Sequence, residues 1–290
     1  MAEQTHNGTR RLSGYGLGDV DTILSVDEVA SAADELGRSA PTTQELDALV
    51  SGEPLLQLDD LVAGYGRMEI LHRISMRVGR GQSACLIGPN GAGKSTVLHS
   101  IYGFTRITRG AVRVNGVDVT RLSPGRKLKN AGVAYILQDN SIFPDMTVEE
   151  NLFMGGFLLD NPRQAKDAAA RVFDKYERLA KRRKQRAGVL SGGERRLLEI
   201  SRALIMNPEV LLVDEPSIGL EPRFIDMVFD ILGDLQHNEG KTIIMVEQNA
   251  KKGLEFADIG YVLVSGQVAM VNAGDKLLDD PEVGRLFLGG

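Results

Sequence analysis

The chain has 290 residues, 34 Lys and Arg against 39 Asp and Glu, and a formal charge of −5. Its 42% hydrophobic content is that of an ordinary globular protein and excludes disorder throughout. No run of about 18 apolar residues occurs, so no membrane-spanning helix is expected and any membrane role would come through a partner. Cys85 is the single cysteine, which rules out an intrachain disulfide, and no charged-then-apolar leader opens the chain, so the cytoplasm is the expected compartment.

The acidity is concentrated at the start. Residues 1–50 carry nine acids and three bases, whereas the remaining 240 residues sum to +1. Residues 1–52 are expected to form an acidic extension, largely disordered or weakly helical, with short amphipathic pieces at Val26 to Leu36 and Thr42 to Val50. The extension reads either as a solvated appendage or as a docking or regulatory segment. Ser51-Gly52-Glu53-Pro54 reads as the hinge, and residues 53–290 as one domain.

From Leu55 onward short apolar runs alternate with helical patterns, the signature of an α/β chain built on a largely parallel sheet. Strands are expected at Ala84 to Ile87, Val133 to Leu137, Val210 to Val213, Thr242 to Val246 and Tyr261 to Val264. Their runs are continuous rather than alternating, as suits strands covered on both faces. Helices are expected at Ser95 to Tyr102, Gln164 to Leu179, Glu194 to Ile205 and Ile225 to Gln236.

The first strand ends in Gly88-Pro89-Asn90-Gly91-Ala92-Gly93-Lys94-Ser95-Thr96, a complete GxxxxGK[ST] loop. Its glycines let the backbone N–H groups point inward, and the helix that follows aims its positive end at the same spot. Lys94 is expected to reach the β and γ phosphates of ATP, and the Ser95 hydroxyl to ligate Mg²⁺. A glycine-rich turn without ligand is the alternative. Further on, Leu211-Leu212-Val213 delivers Asp214 and Glu215 to the strand end where open α/β sheets bind ligands. Behind a phosphate loop, Asp214 is placed to hold the Mg²⁺ hydration shell and Glu215 to polarise an attacking water.

Between these motifs lies Leu190-Ser191-Gly192-Gly193-Glu194, opening a helical pattern 23 residues ahead of Asp214. Small residues at a helix start make a second anion site, although a capping box of Ser191 and Glu194 explains the same letters. With this element the sequence resembles the ATP-binding-cassette family over residues 55–290. The resemblance implies a P-loop NTPase fold: an α/β RecA-like core, an antiparallel β subdomain and a helical subdomain that carries the signature. It implies that Gln138 links the Mg²⁺ site to a transmembrane partner. Tyr65 would stack on adenine, with a core tyrosine as the alternative, and Ile218 to Glu221 would lie across a dimer interface. The family's working unit is a head-to-tail pair, so Ser191, Gly192, Gly193 and Glu194 would complete the site of a companion ATPase subunit, identical or merely related.

One position departs from the family. Where most members carry a switch histidine, Val246-Glu247-Gln248-Asn249 offers Gln248, which can orient water toward a γ-phosphate but cannot take a proton. Glu215 remains, so an active Mg²⁺-dependent ATPase is expected. This variant, the run Met146-Thr147-Val148-Glu149-Glu150-Asn151-Leu152 and the ending Phe287-Leu288-Gly289-Gly290 look like the ATPase subunits of branched-chain amino-acid importers. Those sit on the cytoplasmic face of the inner membrane, held by membrane permeases, with a periplasmic solute-binding protein as an indirect partner. Importers of urea or short-chain amides are the nearest alternative.

Two other classes stay open: a cassette ATPase acting on DNA or ribosomes, and a non-hydrolytic regulatory nucleotide-binding subunit. The basic run from Arg178 to Arg186 lacks interleaved aromatics and reads as a solvated helical face, so no nucleic-acid partner is expected. His6, His72, His99 and His237 lack metal-ligand spacing.

Overall fold

The computed structural model describes residues 41–138 and 141–288; the expected piece at Val26 to Leu36 lies outside them. Among the described residues the strands are β1 (Pro54–Tyr65), β2 (Met68–Gly79), β3 (Ser83–Ile87), β4 (Arg106–Val114), β5 (Val117–Asp118), β6 (Val133–Ile136), β7 (Val210–Asp214), β8 (Thr242–Val246), β9 (Ile259–Val264) and β10 (Gln267–Ala273). They form two sheets: a four-stranded antiparallel one in the order β2-β1-β4-β5, and a six-stranded one in the order β10-β9-β3-β8-β7-β6. In the larger sheet all neighbours pair parallel except β10 with β9. Every residue of β3, β7, β8 and β9 is buried, which is why these strands read as unbroken apolar runs.

Three layers of side chains position the site. The helix Lys94–Tyr102 buries Val97, Leu98 and Ile101 in one core with Leu58, Leu71 and Met76 of the antiparallel sheet and Leu212 and Ile244 of the parallel sheet. On the opposite face, Ile200 and Val228 pack on Ile136, Leu211 and Val213. A third core joins Val148, Leu152, Phe173 and Leu179 in a helical subdomain, and Leu197 and Leu198 belong to it. The helix Gly192–Leu204 therefore enters two cores at once. Each such aliphatic side chain, fully buried, contributes roughly 1.5–3 kcal/mol.

Two expectations shift, and the antiparallel strands were not foreseen one by one. The helix expected from Gln164 to Leu179 is divided into Pro162–Lys175 and Glu177–Lys181. Tyr176 leaves the helical region (φ −119°, ψ 84°), while Lys175 reaches back to Asp234 and Glu239. The antiparallel strands carry many charges and register shifts, such as that between Leu58 and Leu61, so no clean alternation marks them. Part of the expected extension is fastened to the domain. Thr42 and Glu45 form a capping box for the helix Thr43–Ala48, and Leu46 is fully buried in the core shared by both sheets. Gln82 then clips the chain down: its Oε1 accepts from Ser51 N at 3.0 Å and its Nε2 donates to Leu49 O at 3.1 Å.

Candidate nucleotide site

The loop after β3 is shaped by contacts that only glycine allows at its root. Gly88 has φ +144°, and a Cβ there would lie 2.1 Å from the Leu263 carbonyl oxygen of the neighbouring strand. The loop ends at Gly93, which caps the helix Lys94–Tyr102 in the left-handed region. Lys94 folds back over the loop, donating to the carbonyls of Gly88 (2.8 Å) and Pro89 (3.0 Å). Burial pulls its pKa below the ordinary lysine value, against the opposing pull of Glu215 and Asp214. Gly91, Ala92 and Asn90 form the curl above it, and Thr96 is buried in the first helical turn.

Asp214 closes the cradle from β7. It is 4% exposed and accepts from Ser95 Oγ at 3.1 Å and from the Tyr135 hydroxyl at 2.7 Å. Glu215, the next residue, stands in the left-handed region at φ +42°, a conformation few non-glycine residues adopt and one that recurs at functional sites. Its N–H donates to Val246 O at 2.8 Å, and its Oε2 accepts from Gln138 Nε2 at 3.0 Å. Lys94, Ser95, Gln138, Asp214 and Glu215 thus meet at one edge of the parallel sheet.

The adenine end is less deeply set. Tyr65 closes β1, is 43% exposed, and its hydroxyl hydrogen-bonds His99 Nδ1, the two rings meeting edge to face at 6.0 Å. His99 lies in an aromatic cluster with Phe104 and Tyr135, and burial lowers its pKa. Tyr65 is therefore not the core tyrosine of the alternative reading.

At the signature turn the capping box is formed. Ser191 Oγ accepts from Glu194 N at 3.4 Å while Glu194 Oε2 accepts from Ser191 N at 3.0 Å, a complete capping box. Arg182 Nε donates to Glu194 Oε1 at 2.5 Å. Burial raises the Glu194 carboxyl, but the bonds from Ser191 and Arg182 outweigh it and hold the pKa low. Ser191 and Gly192 are exposed, whereas Gly193 is buried against Phe224, whose Cδ1 would stand 2.2 Å from an added Cβ. Gln248 is exposed after β8, and Asn249 caps the helix Ala250–Phe256 through Lys252 N.

Several residues at the site were not legible in the sequence. Arg196 and Glu199 form a buried ion pair at 2.9 Å beside the carboxylates. Glu247, 1% exposed, accepts from Ser217 Oγ at 2.6 Å and from Asn249 N at 3.0 Å. Lys127 is fully buried and donates to Ile101 O at 2.6 Å, at the end of the helix that follows the phosphate loop. An i,i+3 Arg–Glu pair and a lone lysine on a polar helix ordinarily mark solvated faces, so no signal in the letters separates these from surface charges.

The ABC transporter family model matches residues 71–218, about half of the chain. The chain belongs to that family. The high-affinity branched-chain amino acid transport ATP-binding protein BraG of Pseudomonas aeruginosa is 40% identical, covering 81% of this chain and 100% of the relative. The probable branched-chain amino acid transport ATP-binding protein LivF of Archaeoglobus fulgidus is 37% identical over 81% of this chain and 99% of its own length. Among solved structures, the ADP conformation of an ATP-binding cassette of an ABC transporter superposes with a TM-score of 0.72 at 29% identity, covering 82% of this chain and all of that one. The fold is accordingly that of an ABC ATPase cassette, as the motifs imply.

Proposed function

We propose that this chain is the ATP-hydrolysing subunit of a membrane importer for branched-chain or related amino acids. The observation that carries it is the convergence of Lys94, Ser95, Asp214, Glu215 and Gln138 at one sheet edge. The names of the relatives at 37–40% identity supply the cargo class.

In this reading the backbone amides of Gly88 to Thr96 cradle the phosphates, Lys94 turns from the loop carbonyls to the γ-phosphate, and Tyr65 stacks on adenine. Ser95 Oγ, the Asp214 carboxylate and the Gln138 amide offer hard oxygen donors of the kind Mg²⁺ takes, and Ser95 already lies 3.1 Å from Asp214. When bound, the ion neutralises charge on the β and γ phosphates. Glu215 orients and deprotonates the attacking water, and Gln248 contributes a hydrogen bond to the same region. Ser191, Gly192, Gly193 and Glu194 act on the nucleotide of a second cassette, identical or related.

No helix among the described residues is long and apolar enough to cross a membrane. Phe104, Phe143, Met154 and Phe157 are exposed, and Arg202 sits 5.6 Å from the Phe143 ring. Exposed apolar side chains of this kind suit contact with permease chains at the cytoplasmic side of the inner membrane, with a periplasmic solute-binding protein as an indirect partner.

Purified protein with ATP and Mg²⁺ should hydrolyse ATP at least a hundredfold faster than Glu215→Gln protein, and chelation of the ion should abolish the difference. Equal rates in parent and variant would discard the enzymatic reading. Permease chains should copurify from a detergent extract; RNA or ribosomal subunits in their place would discard the transport reading.

A further inference from the structure

Arg196 occupies a position that stability alone does not explain. The residue is 4% exposed on the helix that starts at the signature turn, and Glu199 beside it is 7% exposed. Taking both charges out of water costs more than a pair of apolar side chains would, and the Arg196 Nε is buried without a hydrogen-bond partner. The bonds that are made run to two backbone carbonyls. Nη1 donates to Leu137 O at 2.8 Å, and Nη2 donates to Asp214 O at 3.2 Å.

Those carbonyls are the roots of the two residues that meet above them. Leu137 directly precedes Gln138, and the Asp214 carbonyl belongs to the peptide that joins Asp214 to Glu215. The N–H of that same peptide donates to Val246 O at 2.8 Å, so it is gripped at both ends, by β8 on one side and by Arg196 on the other. The grip explains how Glu215 is kept at φ +42° with its carboxylate 3.0 Å from Gln138 Nε2. Glu199 Oε2 accepts from Nη1 at 2.9 Å and fixes the guanidinium plane from within the same helix. A planar fork with diverging N–H groups can bridge two carbonyls in this way, whereas an ammonium is a single point.

We infer that Arg196 is a positioning residue for hydrolysis: carried on the signature helix, it locks the backbone roots of Glu215 and Gln138 together, so that the hydrogen-bonded Glu215–Gln138 pair keeps its geometry only while that helix is seated. The inference rests on the proposed ATPase reading and adds to it a physical link between the signature turn, whose Ser191 opens this helix, and the carboxylate chemistry of the same chain. Arg196 acts in this proposal through those two carbonyls and not on the nucleotide. Its loss should therefore slow turnover without weakening nucleotide binding.

The test measures ATP hydrolysis and ATP affinity in the full-length protein. Arg196→Gln should lower kcat on the order of ten- to a hundredfold while KM and the ATP Kd stay within about threefold, the pattern of an interaction that acts on the transition state. Arg196→Lys, which can reach one carbonyl, should recover part of the loss. Because Arg196→Gln leaves Glu199 buried and unpaired, Arg196→Met/Glu199→Leu is made alongside it; removing both charges should preserve the thermal midpoint yet leave kcat as low as in the single variant. A double variant with parental kcat, or a loss confined to KM, overturns the inference while leaving the ATPase reading intact. A parent no faster than Glu215→Gln protein overturns both, and that outcome is seen before any Arg196 variant is compared.

Discussion

The phosphate cradle and the signature turn are built from similar letters, small residues ahead of a helix, yet they are finished in opposite ways. In the cradle the polar groups are engaged by the chain's own atoms: Lys94 lies on the carbonyls of Gly88 and Pro89, and Ser95 on Asp214. At the signature, Ser191 and Gly192 stand at the surface with only the capping box beneath them. The difference teaches that a glycine-rich helix start is closed over by its own chain when a neighbouring strand brings an acid to it. Without that strand it stays open at the surface.

Substitutions at the two places should separate accordingly. The largest effect is expected for Lys94→Ala, which removes the one cation in the cradle. Loss of its charged hydrogen bonds, about 3 kcal/mol, corresponds to on the order of a hundredfold in ATP affinity, read by nucleotide titration. An unchanged Kd would break the contrast, since the cradle would then owe nothing to its lysine. Gly193→Ala is next: the added methyl must displace the Phe224 ring, and overpacking of this kind costs about 1–3 kcal/mol in urea unfolding. Nucleotide binding by the same chain should hold. Ser191→Ala removes a cap and should cost about 1 kcal/mol, again without change in ATP affinity.

A last effect concerns pH. Burial lowers the Lys127 pKa to about 8 from 10.5, so between those values the unfolded chain binds more protons than the folded one. Its charging penalty is present in full below pH 8 and is relieved as pH rises toward 10.5. Urea midpoints measured from pH 7 to 10 should therefore rise more in the parent than in Lys127→Met. Parallel curves would show that this ammonium is not held as the fold places it.

What could be read from the letters follows from which residues are free to vary in meaning. Gly88 to Thr96 admits few uses because its glycines answer a backbone requirement, and Leu211 to Val213 announces a strand buried on both faces. Both were found in place. Arg196, Glu199, Lys127 and Glu247 were not foreseen because a charge in a helix or turn ordinarily faces water, and only the third dimension shows it facing in. The antiparallel strands were illegible individually for a related reason. Asp60 and Arg73 sit at positive φ within β1 and β2, where they interrupt the alternation a sheet face would otherwise print in the sequence. The helix at Thr43–Ala48 was half visible: an amphipathic piece from Thr42 to Val50 was read, but not that Leu46 would be driven into the core.

Glu247 gives the last lesson. One buried carboxylate grips the hydroxyl and the amide of Ser217 on one side and the amide of Asn249 on the other. Whatever pushes the strip Ser217 to Leu220 must drag the residue flanking Gln248 with it. The two loops hang from one carboxylate, so a shift in either is felt in the other.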